Sequence, residues 1–313
     1  MNVNAIISAE EAARSLREGG VVALPTETVY GLAAVFDNED AVRTIFRIKG
    51  RPAENPVIVH VASLEQAATV GIFNDVAARL AAHFWPGPLT LVLPRQHGVP
   101  DIVTAGLDTV AIRMPDHATF LAVISRVRKP LAAPSANLSG KPSPTMARHV
   151  IEDFGGSVRV VDGGATRIGI ESTVVLAELD RIIVLRPGAI TREQLFEVGG
   201  VPVVDAARED RKASPGTRFK HYAPSARVVL LTTPAPWDLG PGSRLVLSRT
   251  DPGIGIPWRP LREETLYADL RWADELHVDE ILVHCDEAIL RNEALLDRLR
   301  HAAGLATEND VGT

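Results

Sequence analysis

Roughly the first 200 residues alternate short, continuously apolar runs with segments whose apolar positions recur every three to four places, the pattern of an α/β domain. Val21–Leu24 reads as a buried strand that ends at Pro25. Glu39–Ile48 reads as a helix: Asp37 or Asn38 can cap it, acidic residues fill its first turn, and Ala41, Ile45, Phe46 and Ile48 share a face. Gly50 stops it just beyond Arg47 and Lys49. Strands are expected at Val57–Val61, Leu89–Leu93, Thr109–Arg113, Pro130–Ala133, Val158–Val161, Thr173–Leu176 and Ile182–Leu185. Helices are expected after the Ser63/Gln66 capping box and over Asn74–His83, His117–Val127 and Thr145–Phe154. Several strands follow one another without a helix between, so the sheet should be mixed.

The periodicity lapses near Asp205–Ala223, which is charged and then rich in Ser, Pro and Gly. Beyond it, Ala226–Leu231, Arg244–Leu247 and Glu280–His284 alternate with helical patterns near Glu263–Leu276 and Asp286–Ala302. The expected organisation is a first domain over 1–204, a linker over 205–224 and a smaller α/β domain over 225–313. A length of 313 residues suits two domains, and 46% apolar with 23% charged residues excludes a disordered chain.

The single Cys285 excludes an internal disulfide and any site built on paired cysteines. A net charge of −6 argues against a broadly basic nucleic-acid coat, so a polyanion must meet a local cluster of cations. Met1–Glu10 carries no signal-peptide pattern, and no apolar run approaches the ~20 residues of a membrane span. A cytoplasmic protein is expected. P-loop, HExxH and GxSxG motifs are absent, and the nine histidines are scattered, so no protein-held metal cage is expected. Gly253-Ile-Gly255-Ile-Pro257 imitates half a dinucleotide fingerprint but reads as a turn.

The chemistry-bearing residues gather at strand ends. PTETVYGL (Pro25–Leu32) puts Thr26, Glu27, Thr28, Tyr30 and Gly31 in one turn after a strand, where α/β sheets commonly bind ligands. In KGRPAENP (Lys49–Pro56) two cations flank a helix-ending glycine, a combination suited to phosphate oxygens, although solvated cations at a helix end read the same way. His60, in VIVHV, reads first as a satisfied core histidine. PSANLSGKPSPT (Pro134–Thr145) is rich in hydroxyls and amides, Glu171-Ser172-Thr173 enters a strand, and Arg186 ends one before Pro187-Gly188. Taken singly, these are caps, turns and surface arginines. Together, five segments place hydroxyls, amides or cations at expected strand ends.

PTETVYGL, IKGRPAENPVIVHV, WPGPLTLVL, TVAIRMP, PLAAPSANLSGKPSPT, GIESTVV, LRPGAIT and SPGTRFKHYAP, in that order, resemble the YrdC-like L-threonylcarbamoyladenylate synthases. The later part resembles their two-domain form, with a small Rossmann-like C-terminal domain. The resemblance implies a twisted mixed α/β fold with a positively charged cavity. It implies condensation of L-threonine, bicarbonate and ATP to threonylcarbamoyl-AMP and pyrophosphate, with Mg2+ carried on the ATP phosphates. It further implies a downstream complex that transfers the threonylcarbamoyl group to tRNA adenosine beside the anticodon, and a weak direct tRNA contact is an expectation. On this likeness Thr28, His60, Arg113, Ala133 and Ser172 hold threonine. Lys49, Arg51, Asn55, Thr109, Ser135, Ser143, Arg186 and Tyr222 surround ATP, with Lys49 and Arg51 as the catalytic pair. AENP stands where many members carry Leu-Asp before Asn-Pro, a conservative departure that leaves Asn55 in place.

Such chemistry asks a protein for positioning and charge rather than for a nucleophile. A non-catalytic RNA-binding module and carbamoyl transfer from carbamoyl phosphate are the competing readings. The first sits poorly with the acidic balance, and the second expects acylphosphatase-like and zinc-finger regions that this sequence lacks. SPGTRFKHYAP is unusually aromatic and cationic for a spacer, so residues 214–224 are expected to fold over the nucleotide with Tyr222 touching ATP.

Overall fold

Local signals set the element boundaries in the computed structural model, which describes residues 5–52, 55–207, 210, 222–232 and 242–305. Ser8 and Glu11 form a capping box that opens α1 (Ala9–Arg17). Its buried face is made of Ala12, Ala13, Ser15 and Leu16, opposite acidic and basic residues. Strands β1 (Val22–Leu24) and β2 (Gly31–Val35) pair antiparallel, Leu24 opposite Gly31. The sequence pattern does not announce β2, because three of the five residues of GLAAV are glycine or alanine, weak strand formers. In α2 (Glu39–Lys49) the Asn38 side chain accepts from Ala41 N at 3.1 Å, and Gly50 ends the helix at φ 62°. The buried residues are Ala41, Val42, Ile45, Phe46 and Lys49, with Ile48 only half-buried. The spacing that turns Val42, Ile45 and Phe46 inward turns Lys49 inward too.

The first unit continues through β3 (Ile58–His60), α3 (Leu64–Ala68), α4 (Asp75–Phe84), β4 (Leu89–Pro94), α5 (Asp101–Thr104) and β5 (Thr109–Arg113). Then come α6 (Ala118–Val127), β6 (Leu131–Ala132), α7 (Ala147–Phe154), β7 (Arg159–Val160), β8 (Thr173–Ala177), β9 (Ile182–Arg186), α8 (Arg192–Gly199) and β10 (Val203–Asp205). The strands join one twisted mixed sheet in the order β10-β9-β8-β4-β5-β3-β6-β2-β1-β7. Pairs β1/β7, β3/β5, β4/β8 and β9/β10 run parallel, and the other neighbours antiparallel. Leu80, Leu91, Leu93 and Ile112 centre one apolar core, while Ala12, Leu16, Phe120 and Ile124 of α1 and α6 centre another.

Two compact units divide the chain: Met1–Ser139 with Pro144–Arg218, and Gly140–Ser143 with Phe219–Thr313. The second contains β11 (Arg227–Leu231), β12 (Arg244–Ser248), β13 (Trp258–Pro260), α9 (Leu266–Glu275), β14 (Glu280–His284), α10 (Glu287–Arg291) and α11 (Glu293–Ala302). Its strands form a parallel sheet in the order β11-β14-β12-β13. The single helical pattern over Asp286–Ala302 divides at Asn292, whose side chain accepts from Leu295 N at 3.0 Å and starts a new helix. Cys285 is buried, and burial pushes its thiol up to about 11, the behaviour of a small hydrophobe. Residues 208–209 and 211–221 of the expected linker lie outside the described residues, and with them most of the expected lid over 214–224. No described helix is long and apolar enough to cross a membrane.

Candidate functional site

The turn between β1 and β2 is built by its own hydroxyls. Thr26 Oγ1 accepts from Thr28 N (3.1 Å) and Val29 N (3.2 Å) and donates to Val29 O (2.7 Å). Tyr30 is fully buried, donates its hydroxyl proton to Gly164 O at 2.7 Å and accepts from Gly163 N at 3.0 Å. Burial pushes that phenol up to about 12. A Cβ on Gly163 would stand 2.6 Å from Pro25, so only glycine lets the 162–164 loop lie against the turn. Glu27 O accepts from Ile168 N at 2.8 Å and closes the same pair of loops.

Arg113, at the end of β5, reaches into this turn. Its Nε donates to Gly87 O (3.1 Å) and its Nη1 to Thr28 Oγ1 (2.9 Å), while Nη2 faces Glu27 Oε1 at 2.7 Å. The side chains of the ion pair are 4% and 1% exposed, so solvent does not screen it. His60 is the register partner of Arg113 on the neighbouring parallel strand. Its buried ring lies 5.2 Å from that of Phe120. Burial, and then the Arg113 charge, lowers its pKa to about 3, so the imidazole is neutral at ordinary pH. Ala133 N donates to Ile58 O at 3.0 Å, holding that backbone beside β3.

A second cluster surrounds Lys49. Its buried ammonium donates to Ser135 O (2.6 Å) and Asn137 O (2.5 Å) and lies 3.5 Å from Asn137 Oδ1. Ser135 Oγ donates to Asn137 Oδ1 at 2.5 Å. Burial, with Arg51 adding to it, holds the Lys49 pKa well below the usual lysine range. Arg51 is half-buried and donates from Nη2 to Pro56 O at 2.8 Å, next to the fully buried Asn55.

The third cluster joins β4, β8 and β9. Ser172 Oγ and Thr90 Oγ1 are 2.8 Å apart, and Arg186 donates to Ser172 O at 3.0 Å and to Ser172 Oγ at 3.2 Å. A Cβ on Gly188 would meet Thr173 N at 2.3 Å, so Pro187-Gly188 can pass this backbone only as glycine.

The structure thus groups Thr28, His60 and Arg113 at one place, Lys49 and Ser135 at another, and Ser172 with Arg186 at a third. Thr109 begins β5, at the opposite end of that strand from Arg113. Ser143 is buried within Gly140–Ser143, the short piece that belongs with the second unit. Tyr222 (φ 63°) belongs there as well, stacked on Tyr267 at 5.2 Å with the Arg298 guanidinium 5.6 Å from its ring. The sequence-derived site list omits Glu27, Thr26, Thr90 and Asn137. Glu27 is the lone carboxylate in its motif, and Thr90 the lone hydroxyl in the apolar run of β4. Both were marked by contrast with their neighbours.

A family model described as telomere recombination, for the Sua5/YciO/YrdC group, matches residues 14–188. A second, described as the threonylcarbamoyl-AMP synthase C-terminal domain, matches residues 190–250. The chain is 43% identical over 317 residues to the threonylcarbamoyl-AMP synthase of Pyrococcus abyssi, covering 94% of this chain and 93% of that one. It is 51% identical over 226 residues to the Bacillus subtilis protein of the same name, covering 70% of this chain and 65% of that one. Among solved structures, Pyrococcus abyssi Sua5 complexed with L-threonine superposes with a TM-score of 0.84 at 41% identity, over 95% of this chain and 94% of that one. Escherichia coli YciO shares the fold over 58% of this chain and 89% of that one, with a TM-score of 0.52 at 22% identity.

Proposed function

The chain belongs to the Sua5/YciO/YrdC family, in the two-domain form of the threonylcarbamoyl-AMP synthases, and from that membership and its site we infer how it works. It is an enzyme that condenses L-threonine, bicarbonate and ATP to threonylcarbamoyl-AMP and pyrophosphate. The amine of threonine attacks the carbon of bicarbonate and water leaves, giving a carbamate. A carbamate oxygen then attacks the α-phosphorus of ATP and pyrophosphate departs. Neither step needs a covalent bond to the protein, and the clusters described are suited to hold and orient reactants.

The observation that carries the assignment of residues is the clamped guanidinium of Arg113. A guanidinium has five N–H donors. Three of its nitrogens are already turned to Gly87 O, Thr28 Oγ1 and Glu27 Oε1, so two N–H groups remain for a substrate carboxylate. Arg113, Thr28, neutral His60, the Ala133 backbone and Ser172 are our threonine subsite. Lys49, Arg51, Asn55, Thr109, Ser135 and Arg186 are our ATP subsite within the first unit, with Lys49 and Arg51 bearing on the phosphates. Hydroxyls, amides and cations suit phosphate oxygens, and we take Mg2+ to enter on the nucleotide as part of the substrate. The product then goes to a transfer complex that modifies tRNA beside the anticodon, which places the enzyme in the cytoplasm, with at most a weak tRNA contact of its own.

Incubation with ATP, magnesium, bicarbonate and labelled threonine should release pyrophosphate only when every component is present. Release that is indifferent to threonine would sink this reading.

A further inference from the structure

We propose that Glu27 is the residue that makes the threonine subsite select an α-amino acid, acting as a positioning and specificity residue through Arg113. This rests on the synthase reading for the identity of the substrate, but its physical basis is the buried pair itself. Glu27 Oε1 lies 2.7 Å from Arg113 Nη2, and Glu27 Oε2 has no hydrogen-bond donor among the described residues. A buried carboxylate oxygen without a donor is costly and calls for an explanation.

Holding Arg113 does not by itself supply one. Gly87 O and Thr28 Oγ1 already anchor two of the three guanidinium nitrogens, and neutral oxygens like these could anchor the third. What a carboxylate adds is charge. With His60 neutral, the Glu27–Arg113 pair leaves this corner without net charge. A ligand bearing only a carboxylate meets an arginine that is already compensated. A zwitterion places its carboxylate on the two open N–H groups and its ammonium in the negative potential of the uncompensated oxygen. The pair is therefore complementary to an amino acid and indifferent to a simple acid. Thr28, next along the chain, donates no charge, so the discrimination falls on Glu27.

The test is direct binding, by calorimetry, of L-threonine and of the same molecule with its amine replaced by hydroxyl, to wild-type protein and to Glu27→Gln. Wild type should prefer threonine by roughly tenfold or more, the worth of one charge-assisted contact. Glu27→Gln should weaken threonine by roughly 10- to 100-fold, change the hydroxy acid by less than about threefold, and leave the KM for ATP within about threefold. Glu27→Asp, which keeps the charge, should keep the preference. Equal affinity of wild type for both ligands overturns the proposal without any variant, which matters if Glu27→Gln fails to fold. Parallel loss of both ligands in Glu27→Gln also overturns it, because Glu27 would then only hold Arg113. Undiminished threonine binding in Glu27→Gln overturns it too. A wild type that prefers threonine but releases no pyrophosphate would break the synthase reading and leave this inference standing.

Discussion

Around Lys49 the ammonium is met by the carbonyl oxygens of Ser135 and Asn137, whereas around Arg113 the guanidinium faces the carboxylate of Glu27. Both side chains are buried to the same degree, at 3% exposure. Carbonyl dipoles lower the cost of burying a cation without cancelling its charge, while a carboxylate cancels it. The Lys49 cluster therefore suits a polyanion, whose approach would reverse the depression of the lysine pKa. The Arg113 cluster suits a molecule with no net charge. Under the proposed assignment of subsites the contrast matches the two reactants, a nucleoside triphosphate and an amino acid zwitterion.

The contrast can be broken first on stability. Arg113→Met should strand the Glu27 carboxylate in the interior and cost about 3–5 kcal/mol of unfolding free energy in chemical denaturation. Adding Glu27→Gln to it should restore a large part of that loss. If the double variant is no more stable than Arg113→Met, the two groups are not an interacting pair. Arg51→Ala tests the phosphate side: losing a charge-assisted contact of ~1.5–3 kcal/mol should lower turnover by one to two powers of ten while the melting transition stays in place. Full turnover at both saturating and limiting ATP would reduce Arg51 to a cation at a helix end.

Lys49→Met should cost less stability than Arg113→Met, about 1–3 kcal/mol, because the groups that lose a hydrogen-bond donor, the carbonyls of Ser135 and Asn137, carry no charge. An equal or larger loss would erase the distinction drawn between the two clusters. The smallest effect concerns pH. His60 has a folded pKa of about 3, below the usual 6.5, so the unfolded chain takes up its proton first as pH falls. Its contribution is complete above about pH 6.5 and is lost toward pH 3, by at most ~1.4 kcal/mol per pH unit. His60→Gln should flatten that part of the acid denaturation curve, and an unchanged slope would mean that His60 is not buried neutral.

Much of the fold was legible from local chemistry. The Asn38 cap and Gly50 stop of α2, the Ser63 cap of α3, and the apolar runs of β4, β5 and β9 are properties of short stretches of chain. Strand β2 was not legible, since glycine and alanine, which make up three of the five residues of GLAAV, are weak strand formers. The turn of Pro25–Gly31 was visible as a cluster of functional groups, yet its Glu27 stood out only as an odd charge.

By itself the sequence determined the caps and stops of several helices, the strands built as apolar runs, which loops carry hydroxyls and cations, and the ordered motifs that mark the family. The tertiary structure alone decided which of those groups meet. Helix register turned Lys49 from an apparent surface cation into a buried one, and parallel pairing of β3 with β5 set His60 beside Arg113. Only the folded arrangement brings Glu27 to Arg113, Ser172 to Thr90 and Arg186, and Gly163 against Pro25. Caps and turns are settled within a few residues of chain, so composition and spacing report them. The partner of a buried charge depends on strand order and register across the sheet, and those follow from the packing of the whole domain.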